Sequence, residues 1–187
     1  MRSDEEVGIY KVVFSLASLA ILGLETINYV IQPYFARFYS EGALEQLQRL
    51  VTLSARVILA MALPPVILLV AFGEPTLEFL FGSVYGAGAT ALAILAMGQL
   101  VNAAMGSVGM LLNMTGHERD TMKGVAIAAV LNIALSAALI PPFGVEGAAV
   151  ATATTLLIWN LVLRHYVRER LRIEPAAISG LMHNLRR

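Results

Sequence analysis

The sequence predicts an all-α protein, a polytopic membrane bundle of five transmembrane helices, on three observations. Hydrophobic residues make up 58% of the 187-residue chain and charged residues 14%, where a soluble domain carries about 25% charged residues. Long apolar runs alternate with short polar turns, and about 20 mainly apolar residues suffice to cross a bilayer. Those turns must lie outside the hydrocarbon, where unpaired backbone groups find no water. The pattern is plainest at 110–153, MLLNMTGHERDTMKGVAIAAVLNIALSAALIPPFGVEGAAVATA. One apolar run ends at Asn113-Met114-Thr115-Gly116, and a charged turn follows with His117, Glu118, Arg119, Asp120 and Lys123. The next run stops at Pro141-Pro142, and a third begins after Phe143-Gly144-Val145-Glu146-Gly147.

Taken in order, the expected spans are 12–38, 51–72, 89–114, 122–140 and 145–164, within a bundle over 1–166. At a helical rise of about 1.5 Å per residue the first is about 40 Å long, enough to tilt or project. Between the first two spans, YSEGALEQLQRL at 39–50 reads as a turn followed by a short amphipathic helix. Pro64-Pro65 at the middle of the second span should kink it, because two backbone donors are lost. Residues 76–81, bracketed by Gly73-Glu74-Pro75 and the glycine-rich 82–88, read as a short interfacial helix. Residues 167–187 form a basic, amphipathic tail expected to lie on the cytoplasmic membrane surface.

Charge sets the expected orientation. Of the 13 Lys and Arg, Arg2 and Lys11 alone fall on one side of the bundle, and the turns at 73–88 and 141–147 hold none. The remainder, from Arg37, Arg49 and Arg56 through Arg119 and Lys123 to the tail, fall on the other. The positive-inside rule makes that side, with the C-terminus, cytoplasmic in a multi-pass protein of the cell (inner) membrane. The N-terminus then starts outside, which predicts at least one further span upstream. Asp4-Glu5-Glu6 is acidic where a signal peptide needs positive charge. Without cysteine, no disulfide or thiolate site is possible.

Small residues are dense on the last three spans, among them Gly98, Ala103, Gly106, Gly124, Gly147 and Ala153. They let membrane helices approach closely and signal packing, not function. Polar residues at membrane depth are more telling. Ser18, Glu25, Asn28, Tyr29 and Gln32 share a face of the first span, and Gln99, Asn102, Gly106 and Asn113 share one on the third. Asn132 and Ser136 stand a turn apart on the fourth, and Thr152, Thr155 and Asn160 on the fifth. Glu25, Asn28, Gln32, Gln99, Asn102 and Asn132 are therefore the candidate residues of a hydrated, mostly uncharged cavity. Amides and hydroxyls both donate and accept, which suits a hydroxyl-rich cargo. For any one Asn or Thr, a hydrogen bond holding two helices together is the simpler reading. Glu25 stands apart, because a carboxylate at mid-span costs several kcal/mol unless it is paired or used. Proton relay, cation contact and a partner on another helix all remain open for it, as does a protonated side chain satisfied by Asn28. Arg56 lies close enough to the cytoplasmic end to snorkel.

Catalytic motifs were sought and none fits. His117-Glu118-Arg119-Asp120 lacks the second histidine a turn away that a zinc protease needs, so this turn reads as a solvated loop. Gly106-Ser107-Val108-Gly109 has no histidine at membrane depth to act as its base. No phosphate-binding loop is present. The chain is thus expected to be no enzyme, with no cofactor or metal and no nucleic-acid partner.

The ordered motifs resemble those of bacterial polysaccharide-biosynthesis flippases of the oligosaccharide or O-antigen type, a family related to lipid II flippases and to multidrug and toxin extruders. The matching residues are LLNMTGH at 111–117 and LIPPFGVEGAA at 139–149 with Ala151-Thr152. Upstream, EEVGIY at 5–10, QPYFARFY at 32–39, Pro64, Phe72-Gly73 and LAILAMGQLVNA at 92–103 fit in the same order. The resemblance implies a two-lobed transporter working by alternating access, in which the five spans are the last five of the second lobe. It implies transfer of an undecaprenyl-pyrophosphate-linked oligosaccharide from the inner to the outer leaflet, coupled to an ion gradient. The implied partners are the lipid bilayer, the lipid-linked oligosaccharide, and a first lobe supplied upstream, by a separate chain or by a homodimer. The cationic residues that would meet the pyrophosphate cannot be carried over, and Glu25 matches no motif of the family. Two alternatives stand beside this: a fragment of a cation-extruding antiporter, and a stand-alone scaffold in a glycan-synthesis complex.

Overall fold

A computed structural model describes residues 4–175 and 177; Arg2, and the expected tail beyond 177 with His183, Arg186 and Arg187, lie outside the described residues. Among the described residues the chain is all-α. In order come α1 (Asp4–Leu19), α2 (Leu22–Ser40), α3 (Leu44–Ala71), α4 (Gly73–Phe81), a 3-10 segment (Ser83–Gly88), α5 (Ala89–Met105), α6 (Val108–Met114) and α7 (Glu118–Leu171). Leu44–Ala71, Ser83–Met114 and Glu118–Leu171 are each long and apolar enough to cross a membrane. The pair Glu6–Leu19 and Leu22–Ser40, bent by 48°, makes a fourth crossing if it is one span.

The 54 residues of α7 would extend about 80 Å if straight, against a hydrocarbon core of about 30 Å. Instead Gly144 (φ 59°, ψ −125°) breaks the helix into arms 118–143 and 145–171. The arms run antiparallel. Asp120 pairs with Arg170, Gly124 faces Leu163, Asn132 bonds Thr155, and Gly147 sits against the Leu139 backbone. The turn is written into its residues. Pro141 and Pro142 have no N–H to donate, and Gly144 takes a backbone conformation that side chains resist. A Cβ at Gly147 would lie 2.2 Å from the Leu139 carbonyl oxygen, so only glycine lets the second arm start this close to the first.

Several expected boundaries differ from the observed ones. The span at 12–38 is interrupted at Ala20-Ile21, a site with neither glycine nor proline. The Ala20 and Ile21 amides turn back onto the carbonyls of Ala17 (3.2 Å) and Ser18 (3.1 Å), tightening the helix end before α2 sets off. The stretch 89–114 is two helices. Gly106 (φ 68°, ψ −154°), expected only as a packing residue, separates α5 from α6. The separate amphipathic helix within 39–50 is instead the start of α3, because the buried series Leu47, Val51, Ser54, Ala55 and Ile58 continues one helical stripe. Pro64-Pro65 does not end α3. The expected division at 166/167 falls inside α7, where Val167 and Leu171 are buried.

Two apolar cores sit at opposite ends of the bundle. One gathers Val13, Ala17, Val66, Leu77, Leu92 and Leu95 from α1, α3, α4 and α5. The other gathers Phe35, Leu47, Val51, Leu111, Leu163 and Val167 from α2, α3, α6 and α7. A narrow waist of Ile58, Ala62 and Ala103 joins them. Close contact between α5 and the second arm is set by Gly98, where a Cβ would lie 3.0 Å from that of Ala153.

The ends differ in charge. Tyr39 and His117 stack edge to face, 6.2 Å between ring centroids, and place the α2 end beside the α6–α7 turn. Arg164, Arg168 and Arg170 arrive at the same end on α7. The turn expected to be merely solvated contains a buried acid. Asp120, only 4% exposed, accepts hydrogen bonds from Lys123 Nζ (2.7 Å) and Arg170 Nε (2.8 Å), so it ties the open ends of the hairpin together. Those two bonds hold its carboxyl below the usual carboxylate range. A folded-state value below the unfolded one stabilises fully above the ordinary value near 3.8, and that stabilisation is lost as pH falls below it. Thermal melts in detergent should therefore find Asp120→Asn less stable than the parent at pH 7, with the difference shrinking as pH falls below the ordinary carboxylate value. A gap that persists unchanged at the lower pH would show that the tie is not ionic.

Candidate functional site

Three pairs of residues at helical i, i+4 spacing meet beside the hairpin turn. Glu6 and Tyr10 come from α1, Asn132 and Ser136 from the first arm of α7, and Ala148 and Thr152 from the second. Residues one turn apart stack on one face, so three ledges enclose a groove of about 400 Å³, closed below the turn by Ile140, Gly144 and Val145. Tyr10 Oη and Thr152 Oγ1, 2.8 Å apart, share a hydrogen bond across the groove. Asn132 Nδ2 donates to Thr155 Oγ1 (3.3 Å), which itself donates to the Ala151 carbonyl (2.8 Å). Asn132 and Ser136 both line the groove. The lining thus offers hydroxyls, an amide and the Glu6 carboxylate on an otherwise apolar wall. Such a surface suits a ligand rich in hydroxyls.

A second polar feature is a chain of amides at the waist. Asn160, 1% exposed, donates through Nδ2 to Asn102 Oδ1 (3.0 Å) and to the Leu156 carbonyl (2.9 Å). Asn102 Nδ2 in turn reaches Gln99 Oε1 (3.4 Å), and Gln99 is 5% exposed. This chain links α5 to the second arm of α7. Nearby, Ser107 Oγ donates to Asn28 Oδ1 and ties α2 to the break between α5 and α6.

The six candidate residues therefore do not meet in one cavity. Asn132 lines the groove. Gln99 and Asn102 belong to the amide chain, and Asn28 bridges α2 to Ser107. Glu25 is exposed on the outer face of α2 beside Tyr29, and Gln32 is half-buried on the same helix. Glu6 and Tyr10 were missed by the sequence reading because they precede the expected first span. Their signal was available in two polar side chains at i, i+4 on an otherwise apolar helix. A further hollow of about 460 Å³ between α5 and the second arm is lined by Met97, Val101, Ala153 and Leu157 and is almost wholly apolar. No group of His, Asp or Glu suited to a metal occurs among the described residues.

The buried amide chain gives a measurable coupling. A double-mutant cycle of Asn102→Ala and Asn160→Ala, read by unfolding in detergent, should return about 0.6–2 kcal/mol, the range for polar contacts between membrane helices. A coupling of zero would mean that the two amides do not support one another.

Over residues 10–185 the sequence matches the family described as lipid II flippase MurJ. It is 23% identical over 165 residues to a probable low-salt glycan biosynthesis flippase, Agl15, of Haloferax volcanii. That alignment covers 88% of this chain and 35% of the relative, so the chain spans about a third of that relative's length. No solved structure matches the chain.

Proposed function

The chain belongs to the lipid II flippase MurJ family, and from that membership we propose that it is part of a transporter that turns a lipid-linked glycan across the membrane. A flippase family is one of transporters, not enzymes. The family match carries this reading, and the groove, with its few hydroxyl, amide and carboxylate groups on an apolar wall, is compatible with it. The finer substrate we infer is an undecaprenyl-pyrophosphate-linked oligosaccharide, moved from the inner to the outer leaflet by alternating access. The relative named above comes from an archaeon, so neither a bacterial source nor the undecaprenyl carrier follows from it.

The proposed topology has five crossings: the bent pair α1–α2, α3, α5–α6, and the two arms of α7. Its basic end is cytoplasmic by the positive-inside rule, and the groove beside the 141–147 turn then faces outward. Glu25 argues for a partner across the α2 face. Glu25 lies in the first turn of α2, midway along the bent α1–α2 pair; if that pair is one span, its carboxylate cannot face lipid without a cost of several kcal/mol, and the residue is exposed on the surface of its own bundle. The face formed by Glu25 and Tyr29 therefore looks onto another lobe or a hydrated cavity between lobes. That lobe would come from an upstream segment, a separate chain or a second copy. The cation-extruder alternative rests on Glu25 alone.

The test is glycan flipping in the complete transporter, reconstituted in vesicles. Asn132→Leu combined with Ser136→Ala should lower the rate about tenfold or more, since removing two polar contacts to a buried ligand costs more than the ~1.4 kcal/mol that a tenfold change represents. Glu25→Gln should change both the rate and its dependence on pH. Unchanged rates in both variants would remove the groove and Glu25 from transport.

A further inference from the structure

The last described residues do not trail away from the bundle. Arg172, with a left-handed backbone (φ 57°, ψ 28°), ends α7 and turns the chain back. From there Ile173, Pro175 and Ala177 are buried, while Arg172 is exposed and Glu174 half-buried. Over 172–175 that alternation turns one side of the chain inward. Gln48 of α3 reads its backbone as a neighbouring strand would. The Glu174 N–H donates to Gln48 Oε1 (2.8 Å), and Gln48 Nε2 donates to the Glu174 carbonyl (2.9 Å). The Glu174 carboxylate accepts from Arg164 Nε (2.7 Å) and Arg168 Nε (3.2 Å) on α7.

The segment ends at the helix break. In an unbroken helix the Ala104 carbonyl would accept the Val108 amide. The Gly106 break removes that donor, and a stranded carbonyl inside a membrane bundle is costly. The Ala177 N–H takes the vacant place, 3.2 Å from Ala104 O, and the Ala177 carbonyl accepts from Arg56 Nε (3.1 Å). Pro175 O lies 3.6 Å from where a Gly106 Cβ would stand. The break is flanked by Asn102, bonded to Asn160, and by Ser107, bonded to Asn28. Whatever moves the break therefore moves the polar ties to α7 and to α2.

We propose that residues 172–175 together with Ala177 are an internal latch: a peptide that docks into the α5–α6 break by supplying the amide missing there, held shut by Glu174 against Arg164, Arg168 and Gln48. Its release frees α6 and the 115–120 turn to swing relative to α5. The latch is independent of any cargo, so its test needs none.

The chain has no cysteine, and Ala177 is 6% exposed, so Ala177→Cys in the whole chain reports latch opening through its rate of maleimide labelling. Glu174→Lys, which sets like charges against Arg164 and Arg168, should speed labelling at least about tenfold, because hydrogen bonds between charged groups exceed the ~1.4 kcal/mol that a tenfold shift needs. Hydrogen exchange over 103–110 should rise with it. Gln48→Leu, which removes the strand-like pair without changing charge, should give a smaller gain in both. Glu169→Lys makes the same charge change on an exposed residue of α7 and should alter neither. Parental labelling and exchange in both Glu174→Lys and Gln48→Leu, or an equal gain in Glu169→Lys, would overturn the latch.

Discussion

A helix that breaks leaves amides and carbonyls that must find new partners or water, and among the described residues three breaks shape the bundle. Each interruption is closed differently. At Ala20-Ile21 the amides fold back three residues onto Ala17 and Ser18. At Gly144 the chain reverses, using prolines that bring no amide and a glycine at 147 that lets backbone touch backbone. At Gly106 the carbonyl of Ala104 is met from outside the helix, by the Ala177 amide. The rest of the architecture follows from these closures. The first sends α1 and α2 to different cores, the second makes the α7 hairpin, and the third brings the end of α7 back against α3.

Polar side chains divide their work along the same lines. In the amide chain, Gln99 and Asn160 are buried and each is hydrogen-bonded to Asn102, as a tie between helices should be. The groove is the contrasting case, where Asn132 and Ser136 line open space. Asp120 belongs with the ties. Its two cationic partners come from its own turn and from the far end of α7, so the hairpin is fastened at both its closed and open ends.

How much of this was legible in the residues depended on how the information was carried. Composition and run length were enough for the all-α membrane class, and the PPFGVEG turn announced the hairpin. Small residues such as Gly98 and Gly124 read correctly as sites of close helix contact. The break at Ala20-Ile21 carries no local signal, since Leu19-Ala20-Ile21-Leu22 would suit any helix. Gly106 looked like the other small residues until its backbone angles distinguished it. Spacing put Glu25 and Asn28 on one helical face, yet a residue offset of three rotates them far enough apart that one meets Ser107 and the other points outward. Helical periodicity gives the faces of each helix and says nothing of which neighbour each face finds. The return of residues 172–175 and Ala177 was hidden for that reason, because its partners Gln48 and Ala104 are far away in the chain.

In the proposed topology the α7 hairpin crosses the membrane and returns, with its two turns on opposite sides. Phe143 is 59% exposed beside Gly144, and Arg119 is exposed in the 115–120 turn. Single cysteines at these two positions, in the membrane-inserted chain, can be labelled by a reagent that does not cross the bilayer. Phe143→Cys should react from one face of sealed vesicles and Arg119→Cys from the other. Reaction of both from the same face would contradict the hairpin as a membrane-crossing unit, and with it the topology proposed for the whole bundle.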